Sequence, residues 1–266
     1  MPPDDVAVIN PTGDDLPSQG NKKDEIINGT SFTVLVAGYN IKGDSQDAML
    51  IVDVDKEKQK VTTYSLNTNA KVYVGHGSDG SVNVRLGDLC KYKDMNYISE
   101  KVTALTAIKI DYYFTLTANG FIKIVDTLNK NKSYTYTVPF DMEHEYSNEE
   151  SLSKYNINYK KNDKLSSGID IYNVLRYTGD SGSQRMGRQA SIAWSAMKGI
   201  ISAQFKSKTS DAVISTIKAL LVTAKECETN IHPESFFEEN FDLIMHIPDF
   251  SYDNSSKFEN SGINFK

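Results

Sequence analysis

Apolar residues along the chain fall into short runs and helical stripes separated by polar turns. No sustained pattern runs through residues 1–30, which hold four of the seven prolines; they read as a flexible linker ahead of a domain over 31–206. Phe32 to Ala37 (FTVLVA) is apolar and β-branched, as expected of a strand buried on both faces. A polar loop with Gly43 leads to a second such run, Ala48 to Val54. Asp55-Lys56 then starts a tight connection into the alternating strand Val61 to Leu66. Gly75 to Ser81 (GHGSDGS) reads as a loop.

Ile98, Val102 and Leu105 are spaced by four and three, which predicts a helix over 98–108, and Ile110 to Thr117 reads as a strand. Phe121, Ile124, Val125 and Leu128 form an i, i+3, i+4, i+7 stripe, so a helix follows. Tyr134 to Val138 alternates until Pro139 stops it, and Glu143 to Lys164 is polar enough to read as a surface excursion. Three helices are predicted next. One covers 168–177, and a second covers 189–205 with Ile192, Ala196, Ile200 and Ala203 on one face. Ser210 caps the third, ahead of Val213, Ile217, Leu220 and Ala224. Residues 207–266 read as a helical extension on the same domain, with Phe236, Phe237, Phe241 and Leu243 packed on the core. Strands alternating with helices imply an α/β sandwich with a largely buried sheet.

Composition removes several function classes. A net charge of −6 argues against a sequence-independent nucleic-acid binder, which needs a basic face. Residues 1–30 carry six acids and two lysines, hence most of that charge. Cys90 and Cys227 are too far apart in sequence for spacing to decide between a disulfide and two buried thiols. His76, His144, His232 and His246 are scattered, and neither CxxC nor HExxH occurs, so no zinc site is implied. No apolar run approaches the roughly 20 residues of a membrane span, and the start lacks the basic and apolar segments of a signal peptide.

Arginine usage is the most informative chemical signal. Of 29 basic residues only Arg85, Arg176, Arg185 and Arg188 are arginines, and the last three crowd together. In so lysine-rich a chain, arginine marks positions where its planar fork, matched to phosphate or carboxylate, is needed. Arg185, Arg188 and Gln189 share one helical face by their spacing, near a helix N-terminus that favours anions. Arg176 would approach from the preceding helix. The other reading is a set of solvated arginines paired to Asp180 or to glutamates. A second candidate is the loop Asn40 to Asp47 (NIKGDSQD), where Lys42 would hold phosphate and Asp44 or Asp47 would bind a cation or act as a base. Its alternative is an ordinary polar connection. The glycines of 75–81 lack the spacing of a phosphate-binding loop.

The linear order of these segments resembles the LytR-CpsA-Psr family. VLVAGYNIKGDSQDAMLIVDVDKEKQKVTTYSL is similar to the family's opening: a strand, a G-x-D-x-R loop, S-D-T-M, and two strands leading to S-x-P-R-D. IKIDYYFTLTANGFIKIVDTL resembles I-D-Y-Y followed by a G-F-x-x-L-V-D helix. VPFDMEHEY resembles V-P-x-D-M-x-Y, and IYNVLRYTGDSGSQRMGRQASI resembles L-R-Y-R…D-x-x-R-x-x-R-Q.

The resemblance implies a central mixed β-sheet sandwiched between helical layers, with 31–206 as the family's domain. It implies an apolar tunnel for a polyprenyl chain, whose pyrophosphate is held by arginines and a divalent cation. It also implies transfer of a glycopolymer from an undecaprenyl pyrophosphate carrier to peptidoglycan or another envelope acceptor. The implied location is the outer face of a bacterial membrane, behind an N-terminal anchor that this sequence would follow.

Residue by residue, Asp47 takes the S-D-T-M aspartate position, as catalytic group and ligand of Mg2+, behind Gln46 rather than serine. Lys42, Arg176, Arg185, Arg188 and Gln189 take the phosphate-binding positions, with Arg185 and Arg188 also carrying catalysis. Asn40 replaces the G-x-D-x-R aspartate, and Thr68 and Asn69 replace the Arg-Asp of S-x-P-R-D. Thr178 replaces the second arginine of L-R-Y-R, and Gly182 the aspartate before Arg185. Losing bidentate donors and a carboxylate weakens phosphoryl transfer, which rests on positioning and charge neutralisation. A member that binds polyprenyl phosphate or a protein partner without turnover is therefore the alternative reading.

Overall fold

The structure is a computed structural model describing residues 31–77, 80–129, 135–145, 155–177, 179, 185, 187–192, 194–195, 218, 227–232, 235–236, 239–240, 243, 246 and 250–255. The three expected strands form: β1 (Ser31–Tyr39), β2 (Gln46–Asp55) and β3 (Lys60–Ser65). They pair antiparallel in sequence. The glycine-rich stretch differs from expectation. Lys71–Gly77 and Gly80–Arg85 are strands β4 and β5, paired as a hairpin whose register shifts between Tyr73 and Gly75. Gly75 has φ +147, a conformation that side chains disfavour, so this glycine serves a bulge rather than a ligand cradle.

A 3₁₀ turn, Leu86–Lys91, leads into α1 (Met95–Thr106), whose first turn is capped by Asp94 accepting from the Tyr97 N–H at 2.9 Å. β6 (Tyr112–Leu116) and α2 (Ala118–Leu128) follow, with the Thr117 hydroxyl between them capping α2 through the Gly120 N–H at 3.0 Å. β6 lies parallel to β1.

The excursion expected over 143–164 is partly built into the fold. β7 (Tyr136–Thr137) pairs with β10 (Lys164–Leu165), and β8 (Met142–His144) with β9 (Ile157–Tyr159). Tyr155, Ile157 and Leu165 are buried. The reason is an alternation at Tyr155, Ile157 and Tyr159, hidden by the lysines and asparagines around it.

α3 (Gly168–Arg176) packs on α2 so closely that a Cβ at Gly168 would lie 2.4 Å from the Ile122 carbonyl oxygen. Only glycine permits that approach, and the Asp126 carboxylate accepts the Gly168 N–H at 2.6 Å. Residues 187–192 are helical, and Arg185 is already helical, so this helix starts before Gln189. Ile192 is buried as expected.

The described C-terminal residues go beyond a helical extension. Phe236 and Leu243 pack on the core, and Ser251–Ser255 forms β11, parallel to β3. The central sheet therefore runs β11-β3-β2-β1-β6 and is mixed. Trp194 stacks on Tyr252 at 4.7 Å, tying the 187–195 region to β11.

Side chains alternate across the sheet. On one face Leu35, Ala37 and Ile51 pack against Leu89, Ile98 and Val102 of the 3₁₀ turn and α1. On the other, Phe32, Val54 and Val61 meet Val125, Ile171, Val174 and Ile192. The sheet is thus sandwiched between helical layers, as expected. The linker over 1–30, the faces at Ala196, Ile200 and Ala203, and the Ser210-capped helix (Val213, Ile217, Leu220, Ala224) lie outside the described residues. So do Phe237 and Phe241.

Candidate functional site

Parallel strands β1 and β6 end side by side, with Gly38 opposite Leu116. Loops beyond such strand ends are where open α/β sheets gather ligands. A cavity of about 370 Å3 opens there. Its floor is the sheet face at Val36, Gly38, Ala48, Leu50 and Leu116, and its wall is Phe121 of α2 with Tyr172 and Leu175 of α3. Where β1 gives way to the loop, the lining turns polar: Asn40, Lys42 and Asp47 from the loop, Arg176 at the end of α3, and Arg185 and Gln189 from the next helical stretch. An apolar trough therefore ends in three cations and one carboxylate.

Arg176, Gln189 and Asp47 are held by identifiable neighbours. The Arg176 guanidinium lies over the rings of Tyr155 (5.4 Å) and Tyr172 (5.8 Å) and donates to the Tyr155 carbonyl at 3.4 Å. Arg185 has an Nε shielded from solvent and without a hydrogen-bond partner. An unpaired buried donor is costly, and an anion in the adjoining cavity is the kind of group that satisfies it. Gln189 donates from Nε2 to the Leu175 carbonyl at 3.0 Å, fixing its helix to α3. Asp47 is exposed, and its Oδ1 accepts the Ser45 hydroxyl at 3.0 Å. Among the described residues no group of three or more His, Cys, Asp or Glu side chains is placed to hold a metal ion.

Arg188 goes elsewhere, which corrects its expected place beside Arg185. It is buried, donates from Nε to the Val174 carbonyl at 3.0 Å and from Nη2 to the Tyr177 carbonyl, and lies over the Tyr177 ring. It lines a separate cavity with Phe140 and Tyr177. The spacing of three does share a helical face, but the carbonyls at the end of α3 need donors and Arg188 supplies them.

The loop is built by Asn40, whose amide donates to Asp44 Oδ1 at 2.7 Å and to the Ser45 hydroxyl at 3.2 Å, while its Oδ1 accepts the Asp44 N–H at 3.1 Å. The reading of 40–47 as a mere polar connection misses this order. Nothing in residue type or spacing singles out Tyr39, Tyr155 and Tyr172, which also belong to the site. Burial, together with the nearby Cys90 thiol, holds the Tyr39 phenol above its ordinary pKa, so it is a hydrogen-bond donor at neutral pH.

The model of the LytR_cpsA_psr family matches residues 9–254. The chain belongs to the LytR-CpsA-Psr family. That membership gives it, in general terms, a role in cell-wall glycopolymer transfer. Solved structures share its fold. Protein gbs0355 from Streptococcus agalactiae is 16% identical with a TM-score of 0.67, the match covering 85% of this chain and 77% of that one. B. subtilis TagV is 21% identical with a TM-score of 0.63, over 85% and 84% of the two chains. TagT bound to LI-WTA is 15% identical with a TM-score of 0.57, over 88% and 81%. A search of curated protein sequences finds no match.

The LytR-CpsA-Psr motif positions now have places. Lys42, Asp47, Arg176, Arg185 and Gln189 meet at one cavity, and Arg188 does not join them. Thr68 and Asn69 also lie apart from its lining: the Thr68 carbonyl accepts the Gly87 N–H at 2.9 Å and Asn69 closes a turn on Asn67. Asn40, at an aspartate position of the family pattern, holds Asp44 as its hydrogen-bond partner, so the loop still carries a carboxylate there. Thr178 and Gly182 lie outside the described residues. Among the described residues, no helix is long and apolar enough to cross a membrane.

Proposed function

We propose that this chain is a cell-envelope phosphotransferase. It takes glycopolymer from an undecaprenyl pyrophosphate carrier and joins it to peptidoglycan or another envelope acceptor, at the outer face of the membrane. The observation that carries this reading is the cavity with an apolar trough and a cationic end at Lys42, Arg176 and Arg185. That polarity suits an amphiphile with a hydrocarbon tail and a pyrophosphate head. TagT bound to LI-WTA supplies a parallel in a protein of the same fold.

Within this reading the tail lies on Val36, Leu50, Leu116, Phe121 and Leu175. The guanidinium forks of Arg176 and Arg185 and the Lys42 ammonium grip the phosphates, neutralising charge that grows as the phosphoryl group moves. Asp47 fits a Mg2+ ion of the usual kind, held by one or two carboxylates plus substrate phosphates; its Oδ1 is oriented by Ser45. Bound there, Mg2+ adds positive charge against the pyrophosphate oxygens. Without it Asp47 is the candidate base for the acceptor hydroxyl.

A second reading, holding polyprenyl phosphate without turnover, is favoured by Thr68, a threonine where the family motif carries an arginine. Lipid extraction and mass spectrometry of the purified protein, after incubation with undecaprenyl phosphate, tests the first part of the proposal. Absence of bound lipid removes both readings. A transfer assay with Mg2+ then separates them, and zero transfer by the native chain leaves only the second.

A further inference from the structure

A second cavity, about 320 Å3, lies on the opposite face of the sheet at the same strand ends, within the roughly 300–1,000 Å3 range of small-molecule sites. It shares Tyr39 and Thr117 with the first and is otherwise lined by Gly43, Asp44, Cys90, Lys91, Thr115 and Glu228. Alternation separates the linings: Val36 and Leu116 face the first cavity and Thr115 the second, while Tyr39 and Thr117, at the ends of β1 and β6, border both.

The two cavities have opposite electrostatic character. The first gathers Lys42, Arg176 and Arg185 against Asp47. The second gathers Asp44 and Glu228 against Lys91, whose ammonium is already 2.9 Å from Asp88. Glu228 is held in place through its backbone, its N–H donating to the Thr115 hydroxyl at 2.7 Å and its carbonyl accepting the Thr115 N–H at 2.9 Å. Phosphate is repelled from such a lining. Hydroxyl groups suit it, since the carboxylates of Asp44 and Glu228 offer acceptors and the protonated Tyr39 phenol a donor around one small volume.

We propose that this second cavity is the acceptor subsite, taking an uncharged, hydroxyl-rich saccharide whose reactive hydroxyl enters the first cavity between Tyr39 and Thr117. The inference rests on the donor reading above. In-line displacement at phosphorus requires the nucleophile to arrive opposite the leaving group. With the lipid tail in the apolar trough, the open approach is from the strand ends, where the second cavity lies. The acceptor oxygen bonds to the sugar-linked phosphorus and the bond to the bridging oxygen breaks. That electron pair leaves with polyprenyl phosphate, and the hydroxyl proton passes to Asp47, which in this step serves as base and not as metal ligand. Asp44 and Glu228 accept hydrogen bonds from the saccharide's other hydroxyls.

The test is calorimetric titration of the full chain with two probes, tetraacetylchitotetraose and inorganic pyrophosphate, using the native protein, Glu228→Lys and Arg185→Ala. The expected result is a crossed pattern. Glu228→Lys weakens saccharide binding about tenfold or more and spares pyrophosphate; Arg185→Ala does the reverse. The saccharide also slows alkylation of Cys90, measured at about pH 9 because burial pushes that thiol up. No saccharide binding at millimolar concentration overturns the inference, as does binding indifferent to Glu228→Lys or abolished by saturating pyrophosphate. Pyrophosphate binding that is absent or indifferent to Arg185→Ala instead sinks the donor reading, whatever the saccharide does.

Discussion

Arg185 and Arg188 stand three positions apart on one helical stretch, yet the molecule uses them in opposite ways. Arg188 turns towards α3 and donates to the carbonyls of Val174 and Tyr177 at its end, so its charge is consumed by the fold. Arg185 turns towards the cavity with its Nε unpartnered, so its charge is available to a ligand. Two guanidinium groups of identical chemistry are separated into structure and function by what lies within reach. Rarity and spacing identify the pair as important without saying which is which.

The largest effect that sharpens this contrast is on stability. Arg188→Ala removes two charge-assisted hydrogen bonds, leaving the Tyr177 carbonyl without this donor and the Val174 carbonyl with the Tyr177 N–H at 3.4 Å, and is expected to cost about 3 kcal/mol in urea unfolding. Arg188→Lys recovers little of it, because an ammonium cannot span both carbonyls. Arg185→Ala should stay within about 0.5 kcal/mol of the native protein in the same experiment; equal losses for the two would dissolve the distinction.

Ligand binding should rank the residues the other way. Arg185→Ala is expected to weaken pyrophosphate binding by about 1.5–3 kcal/mol, roughly ten- to a hundredfold, as loss of a charge-assisted hydrogen bond dictates. Calorimetry showing an undiminished affinity would place the anion elsewhere. Arg188→Lys, if it folds, should bind pyrophosphate normally.

Two smaller effects address how the cavity is supported. Asn40→Asp sets two carboxylates against each other at 40 and 44 and removes the amide donor to Ser45, a loss of about 1 kcal/mol. Adding Asp44→Asn should return most of it, and a thermal-denaturation double-mutant cycle without that recovery would mean the pair is not coupled. Tyr155→Leu removes one of the two rings under Arg176 and should weaken pyrophosphate binding by about 0.5–1 kcal/mol. A variant that binds as tightly as the native chain would show that Tyr172 and the rest of the site position Arg176 unaided.

Much of this arrangement is legible in the amino-acid sequence. The continuous apolar runs of β1 and β2 and the stripe of α2 predict their elements because they are buried on the faces their periods describe. Residue type and motif order point to Lys42, Asp47, Arg176, Arg185 and Gln189, and these meet at one cavity. What stays hidden depends on partners distant in sequence. The alternation at Tyr155, Ile157 and Tyr159 is too short to stand out in a polar segment, and it gains meaning only once β8 pairs with it. Tyr39 lines two cavities because β6, more than seventy residues later, lies beside β1. Asn40 reads in sequence as a lost carboxylate; local hydrogen bonding to Asp44 turns it into the organiser of its loop.

The parallel pairing of β11 with β3 also orders events in time. Tyr252 lies opposite Val61, and the Lys60 ammonium meets the Asp253 carboxylate across a sequence separation of 193. A folding chain therefore presents β3 as an open edge until residues 251–255 reach it. Long-range parallel pairings are slow to form, and unpaired edges recruit strands from other chains. The C-terminal strand acts as a late seal on the sheet. A chain cut short of Ser251 would keep the arginine cavity's floor but carry a sticky margin, and self-association would be the first sign of its loss.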